Sequence, residues 1–439
     1  MYGKHSCTIV ISHIIHSHRI SLSFFSLRLP FFSEDFYHLN TQTASSWMRF
    51  KIHRLLVILA SSIGFLLLLI CYHYFFFDSS VILIDEKWSK VIEKRRAEIN
   101  ESIGCEDFLI KLEEKIKVPV LIIDMSILEN IGKHRCDELK MYDTMIQVAT
   151  DSRKDLNFIN RNIFKPYFFK NDELKDYLEF DTEPKRIIPK NFETVKFGNI
   201  AVPRKPFRFR KFWESSRLIE CANRTMNRKE GQKKRLDPNL AAFELSRLRD
   251  LMVRYDMYPF ISEGTLLGWY RECSIIPHTQ DIDVSVMINE FNPRFVDDMR
   301  EERSTFRLNR RLGRLDAMEL TVSPSNGYKV VTDIFMMYED KHKNGTEFNW
   351  ISGLCGDGER LRYHFPLFSP MCSADLHGHL VWTTCEPEKV IRHEYGEKWY
   401  EDLPTRNYSW YQSIKNVERN VEWFSMWDRR KLTYMNGYG

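Results

Sequence analysis

The sequence predicts an α/β protein of the α+β kind, with a mixed-sheet core placed behind a single apolar helix. Three observations carry this. Leu55 to Phe77 is a run of 23 residues without Lys, Arg, Asp or Glu. Asp237-Pro238 opens an amphipathic helix. From Asp281 the chain alternates strictly, with Ile282, Val284, Val286 and Ile288 on one side and Asp281, Asp283, Ser285 and Met287 on the other. A period of two with a β-branched apolar set is a strand packed on one face.

With 439 residues and 52.6 kDa, the chain has length for two or three domains. Its 64 basic and 60 acidic residues are spread along the sequence, and no basic patch marks a nucleic-acid partner. Apolar residues at 43% and aromatic ones at 14% exclude a largely disordered chain. Residues 1–54 read as a short cytoplasmic N-terminus, with Met48 a second candidate start because Arg49-Phe-Lys-Ile-His-Arg54 follows it as a signal anchor begins. Residues 55–77 form the transmembrane signal anchor, about 34 Å long as a helix. Arg49, Lys51 and Arg54 precede it, and Asp78, Asp85 and Glu86 follow, so the remainder lies across the membrane as in a type II protein. The sequons at Asn100, Asn223, Asn344 and Asn407 all follow the span. So do the cysteines at 105, 136, 221, 273, 355, 372 and 385, among which an oxidising lumen favours disulfides, with one left over.

Residues 78–115 read as a charged, solvated helical stem. Lys117 to Asp124 is a buried strand opening a small N-terminal lumenal α/β domain, 116–236, with no cluster of catalytic spacing. Within it, Arg204–Lys211, interleaved with Phe207, Phe209 and Phe212, reads either as a solvated connector or as a contact for an anionic substrate.

A second lumenal domain spans 237–400. Asp237 caps and Pro238 starts a helix to about Tyr255, whose buried stripe is Leu240, Ala241, Leu245, Leu248, Leu251 and Met252. Tyr258–Ser262 is a short strand. A helix then starts at Thr265, and with Gly264 it forms a cradle where backbone amides can approach a phosphate. Arg271 lies two turns along, either as a mobile positive charge or as an ordinary surface arginine. Asp281 and Asp283 share one side of their strand, roughly 7 Å apart. Two such charges call for a cation, and oxygen ligands without His or Cys suit Mg²⁺ or Mn²⁺.

A helix near Asn292–Arg303 and strands near Ala317–Val322 and Tyr328–Met336 follow. Asp333 stands inside the last strand, where an acid needs a partner: metal ligation beside Asp281 and Asp283, or a salt bridge. The nearby Asp316 is a turn residue at a strand start. Met337–Ile351 folds as a hairpin across Asn344-Gly345. Tyr363–Phe368 and Leu380–Thr384 are strands, Glu386–Trp399 is a helix, and the tail, 401–439, carries no assignable role.

The run Gly264-Thr-Leu-Leu-Gly-Trp-Tyr-Arg271, then Ile275-Ile-Pro277 and Asp281-Ile-Asp283, resembles the fukutin and LicD family, closest to its fukutin branch, over roughly 237–400. The resemblance implies a nucleotidyltransferase-like core that moves a phospho-alcohol, such as phosphocholine or ribitol phosphate, from a CDP-linked donor to a glycan. It places the third carboxylate on a later strand, where Asp333 falls. Tyr395 and Trp399 match its closing Tyr-Gly-x-x-Trp. Bacterial members carry an extra acid where this chain has Thr279-Gln280, and the zinc loop of some relatives has no matching cysteine spacing here.

The reading is therefore a single-pass type II enzyme of the Golgi or ER membrane with its catalytic part lumenal. Asp281, Asp283 and Asp333 hold Mg²⁺ or Mn²⁺, Gly264 and Thr265 receive phosphate oxygens, and Arg271 offsets developing charge. Three rivals stand beside it: a type II GT-A-like glycosyltransferase with an Asp-x-Asp metal site, an adhesion or scaffold ectodomain, and an inactive family member that acts by binding. In a GT-A enzyme the apolar strand leads into the acidic triplet. Here a Gly-Thr helix precedes the triplet and the strand follows.

Overall fold

The computed structural model describes residues 105–135, 145–151, 159–226, 228, 235–327, 329–355, 359–403, 407–421 and 433–435. The predicted anchor at 55–77, the N-terminus before it and most of the stem lie outside them. No helix among the described residues is long and apolar enough to cross a membrane.

The first sheet forms from short apolar runs separated by polar turns. Its strands are β1 (Val120–Ile122), β2 (Ile146–Asp151), β3 (Phe164–Lys170), β4 (Tyr177–Phe180), β5 (Arg186–Pro189), β6 (Thr194–Phe197) and β7 (Ile200–Pro203), in the order β5-β4-β3-β2-β1-β7-β6. The pairs β1/β7 and β2/β3 are parallel and the others antiparallel. Helix α1 (Glu106–Glu113) buries Leu109 and Leu112 completely, so this end of the predicted solvated stem is packed core. In helix α2 (Met125–Gly132), the Asp124 carboxylate accepts the amide hydrogens of Ser126 and Ile127. Arg204–Lys211 is not a solvated connector. Most of it lies in helix α3 (Pro206–Glu214), because Phe209, Phe212 and Trp213 fall on one face and are buried. The charged residues between them pair outward: Arg208 with Asp256, and Arg210 with Glu129 and Glu214.

The second sheet holds the site. Helix α4 (Pro238–Arg254) starts as predicted, with Asp237 accepting from the Asn239 and Leu240 amides at 2.9 and 3.0 Å. Then come β8 (Phe260–Ile261), helix α5 (Glu263–Glu272), β9 (Asp281–Met287), helix α6 (Pro293–Arg300), β10 (Phe306–Leu312), β11 (Glu319–Pro324), β12 (Val331–Lys341), β13 (Glu347–Leu354), β14 (Arg360–Phe365), β15 (Met371–Leu376), β16 (His379–Thr384), helix α7 (Pro387–Tyr395), β17 (Val417–Arg419) and β18 (Thr433–Met435). The strand order is β15-β16-β8-β9-β12-β11-β10-β18, while β13, β14 and β17 continue from the far end of β12. The β12/β13 hairpin turns at Gly345, whose φ of 84° suits glycine. Helix α7 stops at Tyr395, short of the predicted Trp399, because Gly396 takes φ 81°. Trp399 still packs, against Tyr270 at 5.5 Å between ring centroids.

Strands β10 and β15 carry no clear signal in the sequence. The tail, unassigned by the sequence, is structural: β17 pairs with β14, β18 pairs with β10, and Asp402 meets Arg228, Arg271 and His278. The sheets dock through Asp176, whose carboxylate accepts from Arg249 of α4 and the Leu380 amide and pairs with His379. Disulfides Cys221–Cys273 and Cys372–Cys385 staple segments next to α5 and β15–β16. Cys355 keeps a buried thiol.

Candidate active site

Strand β9 runs parallel to β12 with Asp283 opposite Asp333, so these two carboxylates leave the same face side by side. Asp281, two residues back, joins them. Ligand oxygens of Asp281, Asp283 and Asp333 all lie within 4.8 Å of one another, and each residue is partly exposed. The row continues sideways: Asp333 stands opposite Thr321 on β11, and Thr321 opposite Arg310 on β10. The Thr321 hydroxyl donates to Asp333 Oδ1 at 2.5 Å and accepts from Arg310 Nε at 3.1 Å. Arg310 Nη2 donates to Glu319 at 2.5 Å and lies 3.7 Å from Asp333.

Helix α5 begins at Glu263, two residues earlier than predicted, and it is built around Asp283. The Gly264 amide donates to the Asp283 carboxylate, and a Cβ on Gly264 would sit 3.1 Å from Asp283 Oδ2. The Thr265 hydroxyl accepts the Asp283 amide hydrogen at 2.8 Å. Gly264 thus meets the Asp283 carboxylate and Thr265 the Asp283 backbone. Thr279 donates to Asp281 Oδ1 at 3.0 Å.

Arg271 is corrected. It is only 2% exposed, and its guanidinium bonds Glu272, Asp402 and the carbonyls of Trp399 and Glu401. It lies seven residues from Gly264, about 10 Å along the helix. A side chain so enclosed is not a mobile charge. Asp316 lies in the turn before β11, as expected.

Three acids escaped the sequence reading. Glu319 is two residues from Thr321 on the same face of β11, and burial pushes its carboxyl up to about 8 against the pull of Arg310. Glu394 of α7, 1% exposed, is pushed up to about 7 by burial. Glu263 is pushed well up by burial, then by Glu394 and Asp283. Its Oε1 and Glu394 Oε2 are buried without hydrogen-bond partners. Glu263 also holds φ 46°, a left-handed backbone that costs a non-glycine residue about 1–2 kcal/mol. Asp283 is itself raised well above the carboxylate range, first by burial and then by Asp281, Asp333 and Glu394. Asp333 is raised mainly by burial. Hard oxygen donors that repel one another in a partly buried cluster fit a divalent cation.

Residues 104–220 match the W02B3.4-like N-terminal domain, and 257–386 match the LicD/FKTN/FKRP nucleotidyltransferase domain. The chain is 40% identical to the uncharacterized protein W02B3.4 of Caenorhabditis elegans over 331 residues, covering 75% of this chain and 84% of that one. It is 30% identical to the ribitol-5-phosphate transferase FKTN of Mus musculus over 247 residues, 54% of this chain and 50% of the relative. The chain belongs to the fukutin/LicD family. A second nematode relative, the uncharacterized protein T07A5.1, is 41% identical over 313 residues, covering 70% of this chain and 82% of its own length. The fukutin/LicD match encloses α5 and strands β9 to β12, and so takes in the whole aspartate cluster. Strand β18, which pairs with β10 beside this row, lies beyond it.

Proposed function

We propose that the protein is a lumenal transferase that moves a phospho-alcohol, of the phosphocholine or ribitol-5-phosphate type, from a CDP-linked donor to a glycan. The second sheet and its helices (237–400) would carry the chemistry, and the first sheet's region (116–236) would support it. The observation that carries this reading is the convergence of Asp281, Asp283 and Asp333 on one sheet face of a fukutin/LicD domain. These carboxylates would hold Mg²⁺ or Mn²⁺, which when bound neutralises phosphoryl oxygens and the departing phosphate. Gly264 and Thr265 fix Asp283, Thr279 orients Asp281, and Thr321 orients Asp333, so each carboxylate has a defined rotamer before substrate arrives. In the transfer, an acceptor hydroxyl oxygen bonds to the phosphorus that bears the alcohol. The bond to the bridging oxygen breaks, CMP departs, and the acceptor's proton passes to solvent. Incubation with CDP-choline, CDP-ribitol and CDP-glycerol should release CMP from one of them in a metal-dependent way. Release from none, with glycan acceptor present, would sink the proposal.

The lumenal placement, type II in a Golgi or ER membrane, has its own test. The disulfides Cys221–Cys273 and Cys372–Cys385 suit an oxidising compartment, and Asn223, Asn344 and Asn407 are all exposed. Each is expected to carry an N-glycan, so each Asn→Gln change should remove one endoglycosidase-sensitive mobility step. A chain from secretory membranes that shows no such step would argue against lumenal residence.

A further inference from the structure

The carboxylate row ends in a cation that the sequence reading did not pick out. Arg310, Thr321, Asp333 and Asp283 stand in register across the adjacent strands β10, β11, β12 and β9, all on one face. The β10/β11 register shifts between Leu308 and Arg310, and such a bulge re-aims the side chain that follows it. The guanidinium is held in place by the Thr321 hydroxyl at Nε and by Glu319 at Nη2, and it reaches to 3.7 Å from Asp333. Its side chain remains 34% exposed. Nη1 makes no hydrogen bond to another described residue and is not among the buried unpartnered atoms. Arg271, the other arginine considered for the role, is closed in by Glu272 and Asp402.

We propose that Arg310 is the phosphate clamp of this site, its open Nη1 edge receiving oxygens of a nucleoside diphosphate that lies along the row from Asp283 toward β10. The assignment rests on the transferase reading and adds a residue to it. A planar, anchored fork suits phosphate oxygens better than a free lysine does, because fewer rotamers are lost when the bonds form. In the transfer it would hold the oxygens of the phosphate that leaves as CMP, where negative charge grows as the bridging bond breaks.

Calorimetry on the full-length protein separates the possibilities, with Mn²⁺ alone and then CDP at saturating Mn²⁺ as probes. Arg310→Met should bind Mn²⁺ within about threefold of wild type, yet lose at least about tenfold in CDP affinity, the worth of a charge-assisted phosphate contact. Arg310→Lys, which keeps the charge but loses the fork, should fall between. CDP affinity unchanged in Arg310→Met overturns the clamp. Loss of Mn²⁺ binding together with CDP binding also overturns it, since Arg310 would then merely position Asp333. Wild-type protein that binds Mn²⁺ but no CDP would refute the transferase reading and the clamp with it, a failure visible before any variant is made. Should Arg310→Met fail to fold, Arg310→Lys decides: weakened CDP with intact Mn²⁺ supports the clamp, and unchanged CDP rejects it.

Discussion

Replacing Asp281 or Asp333 by Asn should abolish Mn²⁺-induced stabilisation and lower CMP release by at least about two orders of magnitude, while the metal-free protein melts at the same temperature or higher. Asn preserves volume and an acceptor oxygen, so the Thr279 bond to residue 281 and the Thr321 bond to residue 333 can persist. What is removed is one negative charge from a group whose oxygens lie within 4.8 Å of one another. Without metal that charge is repulsive, because the three carboxylates crowd one another, and its loss relieves the fold. In the loaded site the same charge is an ion ligand, and stabilising a migrating phosphoryl group is worth several kcal/mol. The double mutant should be hardly worse than either single one, because groups that serve one ion are not additive. Thermal melts with and without Mn²⁺, run beside the CMP assay, check all three statements. An Asp333→Asn protein that unfolds but retains metal binding would make Asp333 a structural acid. The site would then shrink to Asp281 and Asp283, and glycosyltransferase chemistry would regain ground.

Much of this cluster was legible because its signals are local. Strict alternation from Asp281 places two carboxylates on one face, and an acid amid β-branched residues at 333 announces a partner. The Asp237-Pro238 cap and the Asn344-Gly345 turn are equally local, and the structure has both. Misread or unseen features depend on contacts distant in sequence. Arg271 looked available because it lies two turns along its helix from Thr265, but Asp402 and the carbonyl of Glu401, some 130 residues on, enclose it. Gly264 did signal a close approach. What approaches is Asp283, which only the antiparallel β8/β9 pairing brings there. Strand β10 was hidden by its own chemistry, since Arg307, Arg310 and Arg311 and a register shift break the apolar alternation. Glu263 and Glu394 lie on different helices, and nothing in either helix alone foretells that they meet.

Those buried glutamates make the metal-free protein lose stability as pH rises. Glu394 keeps its proton in the fold up to about 7 and Glu319 up to about 8, each because burial disfavours the carboxylate, against 4.5 in an open chain. A carboxyl raised in the fold binds its proton more tightly there than when unfolded. Its contribution is therefore neutral below about 4.5 and turns unfavourable as pH climbs toward the folded value. For Glu394 the span from 4.5 to about 7 amounts to an order of 3 kcal/mol at roughly 1.4 kcal/mol per pH unit. Other groups act elsewhere or in the opposite sense. Asp176 is held low by His379 and Arg249, and Asp402 by His278 and Arg228, so their support is lost only in more acidic solution. His377 and His393, lowered by burial, add stability as pH rises toward 6.5 and partly mask the glutamates there. The clean readout is thus a difference between proteins. Urea unfolding in the presence of a chelator should find Glu394→Gln equal to wild type near pH 4 and more stable by about 3 kcal/mol at pH 8. A gap that stays constant between the two pH values would mean that Glu394 ionises in the fold as it does in the open chain, and that the α5–α7 contact shelters no proton.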